Sequence, residues 1–502
     1  MKKLVCLLLA MILCFGCFGG LSALAEEERV PISIISFDYA RVVKEDDPIR
    51  EKIGQITGTE LNVNIVPTDQ FLQKVNLMIA ANDVPDLIRF NGYDHFQYID
   101  TGALLDLTPY LEKYPELKAV MPQEAWDLVT VDGHIYTIPN YNVPGKYSYY
   151  VRQDWLENLG LKQPKTLEEL REVLIAFTYN DPDGNGVDDT YGLSVHEMIG
   201  GMEVTCFMPV FGAYGIQPNR FFEKDGKAYN PVLTENYKQA LEFCHQLYAV
   251  DKVVDPDIFI IQSDAALQNI VNSKTGTTVG WWATICEAVN DRLKMPSICP
   301  EAKWVMCNDI TGPNGDYGMM ANNLNSFTVS ISANSKNIDK CFELLTYLGS
   351  DEGFMLSCYG EEGVHYTVDE NGKFLARTEE GTLAMNDMWL DLMSQYVYRV
   401  MEYQEILCTI NPGYREFQQA AMNAKLYQNL FEGITTEEST IYLADLNQIL
   451  LDWSVKFITG KEPLDNFDEF VEDYKANGGD EVLQSYIDVY NARKGTSLVA
   501  GN

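Results

Sequence analysis

Between Ile32 and Phe90 the chain alternates between two hydrophobic periods, and that alternation limits what it can fold into. Ile32 to Phe37 is a short, nearly continuous apolar run rich in β-branched residues, the pattern of a strand buried on both faces. Asp47 then offers a helix N-cap, Pro48 a first-turn residue and Gly58 a stop, with Ile49, Ile53 and Ile56 on one face between them. Leu61, Val63 and Ile65 alternate as a second strand. Phe71, Val75 and Ile79 mark another amphipathic helix, and Leu87 to Phe90 a third strand. This strand–helix order predicts an α/β fold whose sheet is of parallel type, with helices on both faces.

The remainder is helix-rich but keeps strand signals. Thr166, followed by Glu169, caps a helix reaching about Phe177. Tyr237, Ala240, Leu241, Cys244, Leu247 and Tyr248 form an apolar stripe at helical spacing. Thr277 to Trp282 reads as a strand ending in two tryptophans. Phe327 to Ile331 is another strand, followed by a helix carrying Cys341, Leu344, Leu345 and Leu348. The last stretch, about 120 residues, reads as mostly helical. At 502 residues the chain exceeds what one core usually serves, so two lobes are expected. No repeat or Pro/Ser-rich linker appears, which predicts several short crossings, with boundaries near Pro139–Pro144 and Pro296–Pro300. The expected division is 26–143 with 300–332 in an N-terminal lobe, and 144–299 with 333–502 in a C-terminal lobe.

Residues 1–25 read as an export signal. Lys2 and Lys3 precede an apolar run from Leu4 to Phe18, and Ala23-Leu24-Ala25 presents small residues at cleavage spacing. An uncleaved anchor and a lipid-modified Cys17 are the alternatives, Cys14-Phe15-Gly16 being a poor lipidation sequence. A secreted, extracellular or surface-associated chain is expected. The net charge of −36 becomes more negative once the leader lysines are lost, a field that repels nucleic acid and anionic membranes. It favours neutral ligands. Cysteines 206, 244, 286, 299, 307, 341, 358 and 408 form no Cys-x-x-Cys or zinc spacing, and Cys244 and Cys341 fall on apolar helix faces as small core residues.

Five stretches, in order, resemble the extracellular solute-binding protein family 1, within it the large oligosaccharide- and alginate-binding-like members of ABC importers. They are Gln73 to Ile88, Asp132 to Pro139, Tyr150-Val151-Arg152-Gln153-Asp154-Trp155-Leu156 with Leu159-Gly160-Leu161 and Pro164-Lys165-Thr166, Ser332 to Gly353, and Phe457-Ile458-Thr459-Gly460-Lys461 with Tyr474. The resemblance implies a periplasmic-binding-protein-like fold: two lobes around a central cleft, joined by hinge crossings. It implies capture of a carbohydrate by lobe closure, delivery to permease subunits, a monomer, and no catalysis. The physics is differential affinity, since a ligand touching both lobes binds the closed state better and shifts its population. A ligand sensor feeding a membrane receptor is the alternative within binding proteins, and a secreted glycoside hydrolase the alternative outside them.

Asp181-Pro182-Asp183-Gly184-Asn185-Gly186-Val187-Asp188-Asp189 places oxygen donors at positions 1, 3, 5 and 9 of a loop, with the Val187 carbonyl at position 7, as a calcium ion requires. Position 12 is Gly192, so the bidentate Glu of an EF-hand is missing. In similar alginate-binding proteins the tenth position also ligates, which implies Thr190. An ion-free Asx-rich turn is the competing reading. Trp281 and Trp282 offer a face on which a sugar ring stacks, and one of the two is expected in the cleft because successive strand residues face opposite ways. In similar maltodextrin-binding proteins a tryptophan of the matching segment does this. Asn91, Tyr93 and Asp94 after the third strand, and Tyr39 after the first, stand where open α/β sheets carry ligand loops. Asn140, Tyr141 and Tyr147 flank the expected hinge. Glu361-Glu362 is the nearest approach to a glycosidase pair, and adjacent glutamates are usually solvated surface.

Overall fold

In the computed structural model, which describes residues 29–37, 46–194, 205–261, 263–283, 299–386, 392–410 and 413–501, the first strand forms at Val30–Phe37 between two parallel neighbours. These are Thr59–Val66 and Leu87–Asn91, with Ile34 level with Val63 on one side and Leu87 on the other. Successive residues of these strands enter opposite cores. Ile32, Ile34 and Leu87 join a cluster with Cys341, Leu344, Leu345 and Leu348 of the helix Ile338–Gly349. Ile35, Phe37, Ile88 and Phe90 join another with Phe71 and Val75 of the helix Phe71–Ala80. Both faces are covered, as parallel pairing requires. Asn325–Ile331, antiparallel to Leu87–Asn91, and Ile138–Tyr141 at the edge complete five strands.

The helix Pro48–Thr57 starts and stops where its punctuation predicts. Asp47 Oδ1 accepts the N–H groups of Ile49 and Arg50, both at 2.9 Å, and Gly58 closes the helix with φ 65°. Ile49 and Ile53 are buried, each worth about 1.5–3 kcal/mol. Ile56, in the last turn, is instead exposed and lines a surface groove with Met355 and Tyr366. The cap itself carries a cost. Asp47 is buried, its second oxygen has no partner among the described residues, and burial pushes its carboxyl up to about 6. The folded chain therefore takes up this proton below about pH 6 and the unfolded chain only below about pH 4. Stability from this residue is present at low pH and is lost as pH rises through that window. Asp47→Asn keeps the capping oxygen and removes the charge, so it is expected to stabilise the protein by about 1–3 kcal/mol at pH 7.5. The gain should vanish below about pH 4, as denaturant titrations at both pH values will show.

A second, four-stranded sheet runs Trp304–Met306, Tyr147–Arg152, Thr275–Trp281 and Tyr191–Leu193. Tyr147–Arg152 is antiparallel to both neighbours, so the parallel character lies mainly in the first sheet and in the Thr275–Trp281/Tyr191–Leu193 pair. Helices cover it as the stripes predict. Thr166 Oγ1 accepts the Glu169 N–H at 3.2 Å to start Leu167–Tyr179. Tyr237, Ala240, Leu241, Cys244 and Leu247 are fully buried against the long helix Glu437–Thr459, whose Leu446, Leu450 and Phe457 share their cluster.

The lobe boundaries differ from those the sequence predicts. Trp304–Met306 belongs to the second sheet, although 300–332 is expected in the N-terminal lobe. The helix Ile338–Gly349 and the side chains of Leu356, Met393, Tyr396 and Val397 fill the first core, although 333–502 is expected in the C-terminal lobe. The reason is local. A helix leaving Asn325–Ile331 carries an apolar stripe, and the nearest uncovered apolar surface is the sheet that strand has just joined. Prolines mark the turns of a chain but not the sheet it turns towards. The crossings run side by side: the Asn142 N–H donates to Leu324 O at 2.7 Å, and the Asn322 N–H to Pro144 O at 2.9 Å.

Candidate functional site

Where the first sheet ends, the chain leaves Leu87–Asn91 through Gly92, with φ 47°, and turns into Tyr93 and Asp94. The turn is tied to the returning strand: the Gly92 N–H donates to Ser326 O at 2.9 Å, and Asn325 Nδ2 donates to Gly92 O at 3.1 Å. Tyr93 stacks on Phe96, ring centroids 5.8 Å apart, and its hydroxyl donates to Glu432 Oε1 at 2.9 Å. Asp94 keeps part of its surface open, yet burial pushes its carboxyl up to about 6, and its side chain has no hydrogen bond among the described residues. Asn91 is exposed beside it. Tyr39 lies outside the described residues, as do the leader and Cys17.

The Tyr93 hydroxyl is met from the second lobe. Glu432 sits in the turn before Glu437–Thr459, and Phe431 beside it belongs to the second core. Burial raises its carboxyl, while the Tyr93 hydroxyl and the Arg220 guanidinium hold it down. Arg220 is anchored to the crossing, its Nη2 donating to Ala321 O at 2.6 Å and to Asn323 Oδ1 at 3.1 Å. Burial lowers its pKa, and Glu432 and Tyr147 oppose that. Tyr147 begins the second-lobe strand that follows the crossing, and it pairs across the sheet with Trp281.

The strand expected over Thr277 to Trp282 ends at Trp281, and the two tryptophans differ in burial although their rings meet edge to face at 5.7 Å. Trp282 is fully buried among Ala283, Cys408, Tyr414 and Ala421, so it is a core residue and presents no stacking face. Trp281 stays half-buried at the sheet end beside Tyr147. Two other expected ligand residues are committed elsewhere. Asn140 is fully buried: its N–H donates to Asn325 Oδ1 at 3.0 Å, its Nδ2 to Gln395 O at 2.5 Å, and its Oδ1 accepts the Tyr398 N–H at 2.8 Å. It fastens the crossings to each other. Tyr141 donates to Glu124 Oε2 at 3.0 Å within the first lobe. The structure thus links Tyr93 and Tyr147 through Glu432 and Arg220. Neither of the last two was legible, because single charged residues in turns carry no periodic signal.

The loop 181–190 folds around Asn185. Asp181 Oδ1 accepts its N–H at 3.0 Å, and its Nδ2 donates to Asp183 Oδ2 at 2.9 Å and lies 3.5 Å from Asp189 Oδ1. Burial, with Asp181 and Asp189 beside it, raises the Asp183 carboxyl. Like charges crowded in this way, joined by amide and backbone oxygens, suit a hard cation. Thr190 does not belong to the set: it is buried, and its hydroxyl donates to Phe177 O at 2.8 Å, into the core. Among the described residues, no group of three or more His, Cys, Asp or Glu side chains is drawn together at metal-holding geometry. As to the glutamate pair, Glu361 forms an ion pair with Lys52 at the surface.

The model of the bacterial extracellular solute-binding proteins matches residues 43–353. A polygalacturonan/rhamnogalacturonan-binding protein of Bacillus subtilis (strain 168) is 24% identical over 493 residues, 95% of this chain and 96% of its own. Among solved structures, an ABC-transporter substrate binding protein of S. pneumoniae in complex with kestose superposes with TM-score 0.73 at 19% identity, over 93% of this chain and 99% of that one. An alginate-binding protein solved without calcium ion gives TM-score 0.71 at 21% identity, over 93% and 98%. These likenesses establish the fold as that of the periplasmic-binding-protein-like solute receptors.

Proposed function

Because the chain belongs to the bacterial extracellular solute-binding protein family, we propose that it captures an oligosaccharide between its lobes and hands it, chemically unaltered, to the permease of an ABC importer. One observation carries the carbohydrate reading. The half-buried Trp281, paired with the buried Tyr147, gives an aromatic sheet end in the second lobe, and Asp94 supplies a polar group from the first. Apolar sugar faces stack on such rings while hydroxyls bond the polar groups. A relative that binds polygalacturonan/rhamnogalacturonan and a solved substrate binding protein in complex with kestose support the same class. The net charge of −36 favours a neutral sugar over a polyuronate.

The test is thermal-shift screening of fructo-oligosaccharides, neutral glycans and galacturonate oligomers, followed by chromatography of the recovered ligand. A melting shift with an intact neutral sugar is expected. Turnover of the sugar refutes capture without catalysis, and a shift with galacturonates alone refutes the neutral preference. Export through the leader, action as a monomer, and a place outside the cell or on its surface belong to the same reading. No helix among the described residues is long and apolar enough to cross a membrane.

We also propose that loop 181–190 holds a structural Ca2+ through Asp181, Asp183, Asn185 and Asp189, with the Val187 carbonyl, and without Thr190. The crowding of Asp183 by Asp181 and Asp189 supports this. A bound ion at a hundredfold excess over its Kd contributes about 2.7 kcal/mol. Chelation should therefore lower the melting temperature by several degrees, and Asp181→Asn/Asp183→Asn should be insensitive to chelator. A melting temperature that EGTA leaves unmoved disposes of the site.

A further inference from the structure

The contacts of Glu432 are not those of an ordinary surface acid. Its carboxylate accepts from the Tyr93 hydroxyl at 2.9 Å and from the Leu324 N–H at 3.1 Å. Tyr93 belongs to the first lobe and Leu324 to the crossing, whereas Glu432 itself is rooted in the second core through Phe431. Both donors therefore come from outside its own lobe. The Arg220 guanidinium also acts on it.

A second pair of contacts repeats the arrangement. Arg493 stands on the helix Asp480–Lys494, whose Val482, Leu483, Tyr486 and Ile487 are in the second core. Its Nη1 donates to Gly433 O at 2.8 Å, and its guanidinium lies 5.3 Å from the centroid of the first-lobe Phe96 ring. Gly433, with φ 74°, brings the turn so close that a Cβ there would stand 3.2 Å from Leu128 O and 3.4 Å from the Tyr93 ring. Tyr93 and Phe96 stack on each other, so the first lobe presents one aromatic ledge and the second lobe one charged turn.

Tyr93 follows the carboxyl end of a parallel strand, the side of an open α/β sheet on which ligands bind. A contact reaching from there to the other lobe lies where closure of the cleft would act. We propose that Glu432 is a positioning residue for closure: with Tyr93 it latches the lobes together and so sets affinity without touching the ligand. This rests on the two-lobed capture reading above. Once the lobes part, the carboxylate loses the Tyr93 hydroxyl, while Arg220 remains the cation that acts on it.

The experiment needs no identified ligand, so failure of the sugar screen and failure of the latch are separate results. Small-angle scattering of the full chain gives the radius of gyration of the wild type, Tyr93→Phe, Glu432→Ala and Glu432→Gln. Hydrogen exchange at the Leu324 amide shows whether each variant has lost the contact. Tyr93→Phe keeps the ring and its stacking on Phe96, so it removes only the hydrogen bond and guards against a misfolded Glu432→Ala. Tyr93→Phe and Glu432→Ala are expected to enlarge the radius and to speed Leu324 exchange about tenfold or more. Glu432→Gln, which retains the accepting oxygen, should lie between them and the wild type. An unchanged radius in Tyr93→Phe overturns the proposal, whatever the exchange rate. So does a smaller one, which would make the contact a brace of the open form.

Discussion

Replacing Trp281 by alanine is expected to weaken sugar binding about ten- to a hundredfold while shifting the melting temperature little. The magnitude follows from what is removed. An indole that covers one face of a sugar ring contributes apolar burial of about 1.5–3 kcal/mol, and each 1.4 kcal/mol is a factor of ten in Kd. Stability is largely spared because Trp281 is only half-buried at the end of its strand, its ring packing on the edge of the Trp282 cluster and not inside it. Trp282→Ala should do the reverse. Its ring is fully buried among Ala283, Cys408, Tyr414 and Ala421, and a Trp→Ala cavity of that kind costs about 3–5 kcal/mol. Calorimetric titration of both variants with the sugar found by screening, beside their melting curves, separates the two roles. Wild-type affinity in Trp281→Ala would move the stacking site elsewhere in the molecule.

That contrast also shows what the sequence could and could not reveal. Strand alternation predicts that neighbouring tryptophans face opposite ways, but the strand ends at Trp281 and the chain turns there, so that Trp282 is enclosed by the core while the Trp281 ring packs on its edge. The punctuation around Pro48–Thr57 and Leu167–Tyr179 was legible because caps act within a few residues. The lobe assignment of 338–397 was not, because an apolar stripe states that it needs covering without naming the surface that covers it. Asn140 failed for a related reason. A polar residue beside Pro139 suggests an exposed hinge, whereas the crossing strands meet there and need a buried amide to tie Asn325, Gln395 and Tyr398. Thr190 illustrates the limit of loop spacing. It directly precedes the strand Tyr191–Leu193, and its hydroxyl is drawn to Phe177 O, away from the loop.

The stretch Tyr150 to Leu156, so specific in sequence, has a structural explanation that yields an expected loss of stability as large as that of Trp282→Ala. Arg152 is fully buried and holds Asp154 through two hydrogen bonds, Nε to Oδ1 at 2.8 Å and Nη2 to Oδ2 at 2.6 Å. Its Nη1 donates to Ser273 Oγ at 2.7 Å, and its guanidinium lies over the Trp155 ring at 4.6 Å. Asp154 Oδ1 also accepts the Lys303 N–H at 3.0 Å, joining the helix Gln153–Leu159 to the segment before Trp304–Met306. Asp154→Ala strands a buried guanidinium, and the expected cost is about 3–5 kcal/mol. Asp154→Asn, which keeps an oxygen for Lys303 and loses the charge, should cost less. The decisive variant is Arg152→Met/Asp154→Leu. If the pair serves geometry rather than net stability, replacing both partners should recover most of what Asp154→Ala loses, since the desolvation of two charges disappears with them. Urea titrations followed by fluorescence will rank the variants. A double variant less stable than Asp154→Ala would mean that the ion pair contributes net stability beyond the cost of burying its charges.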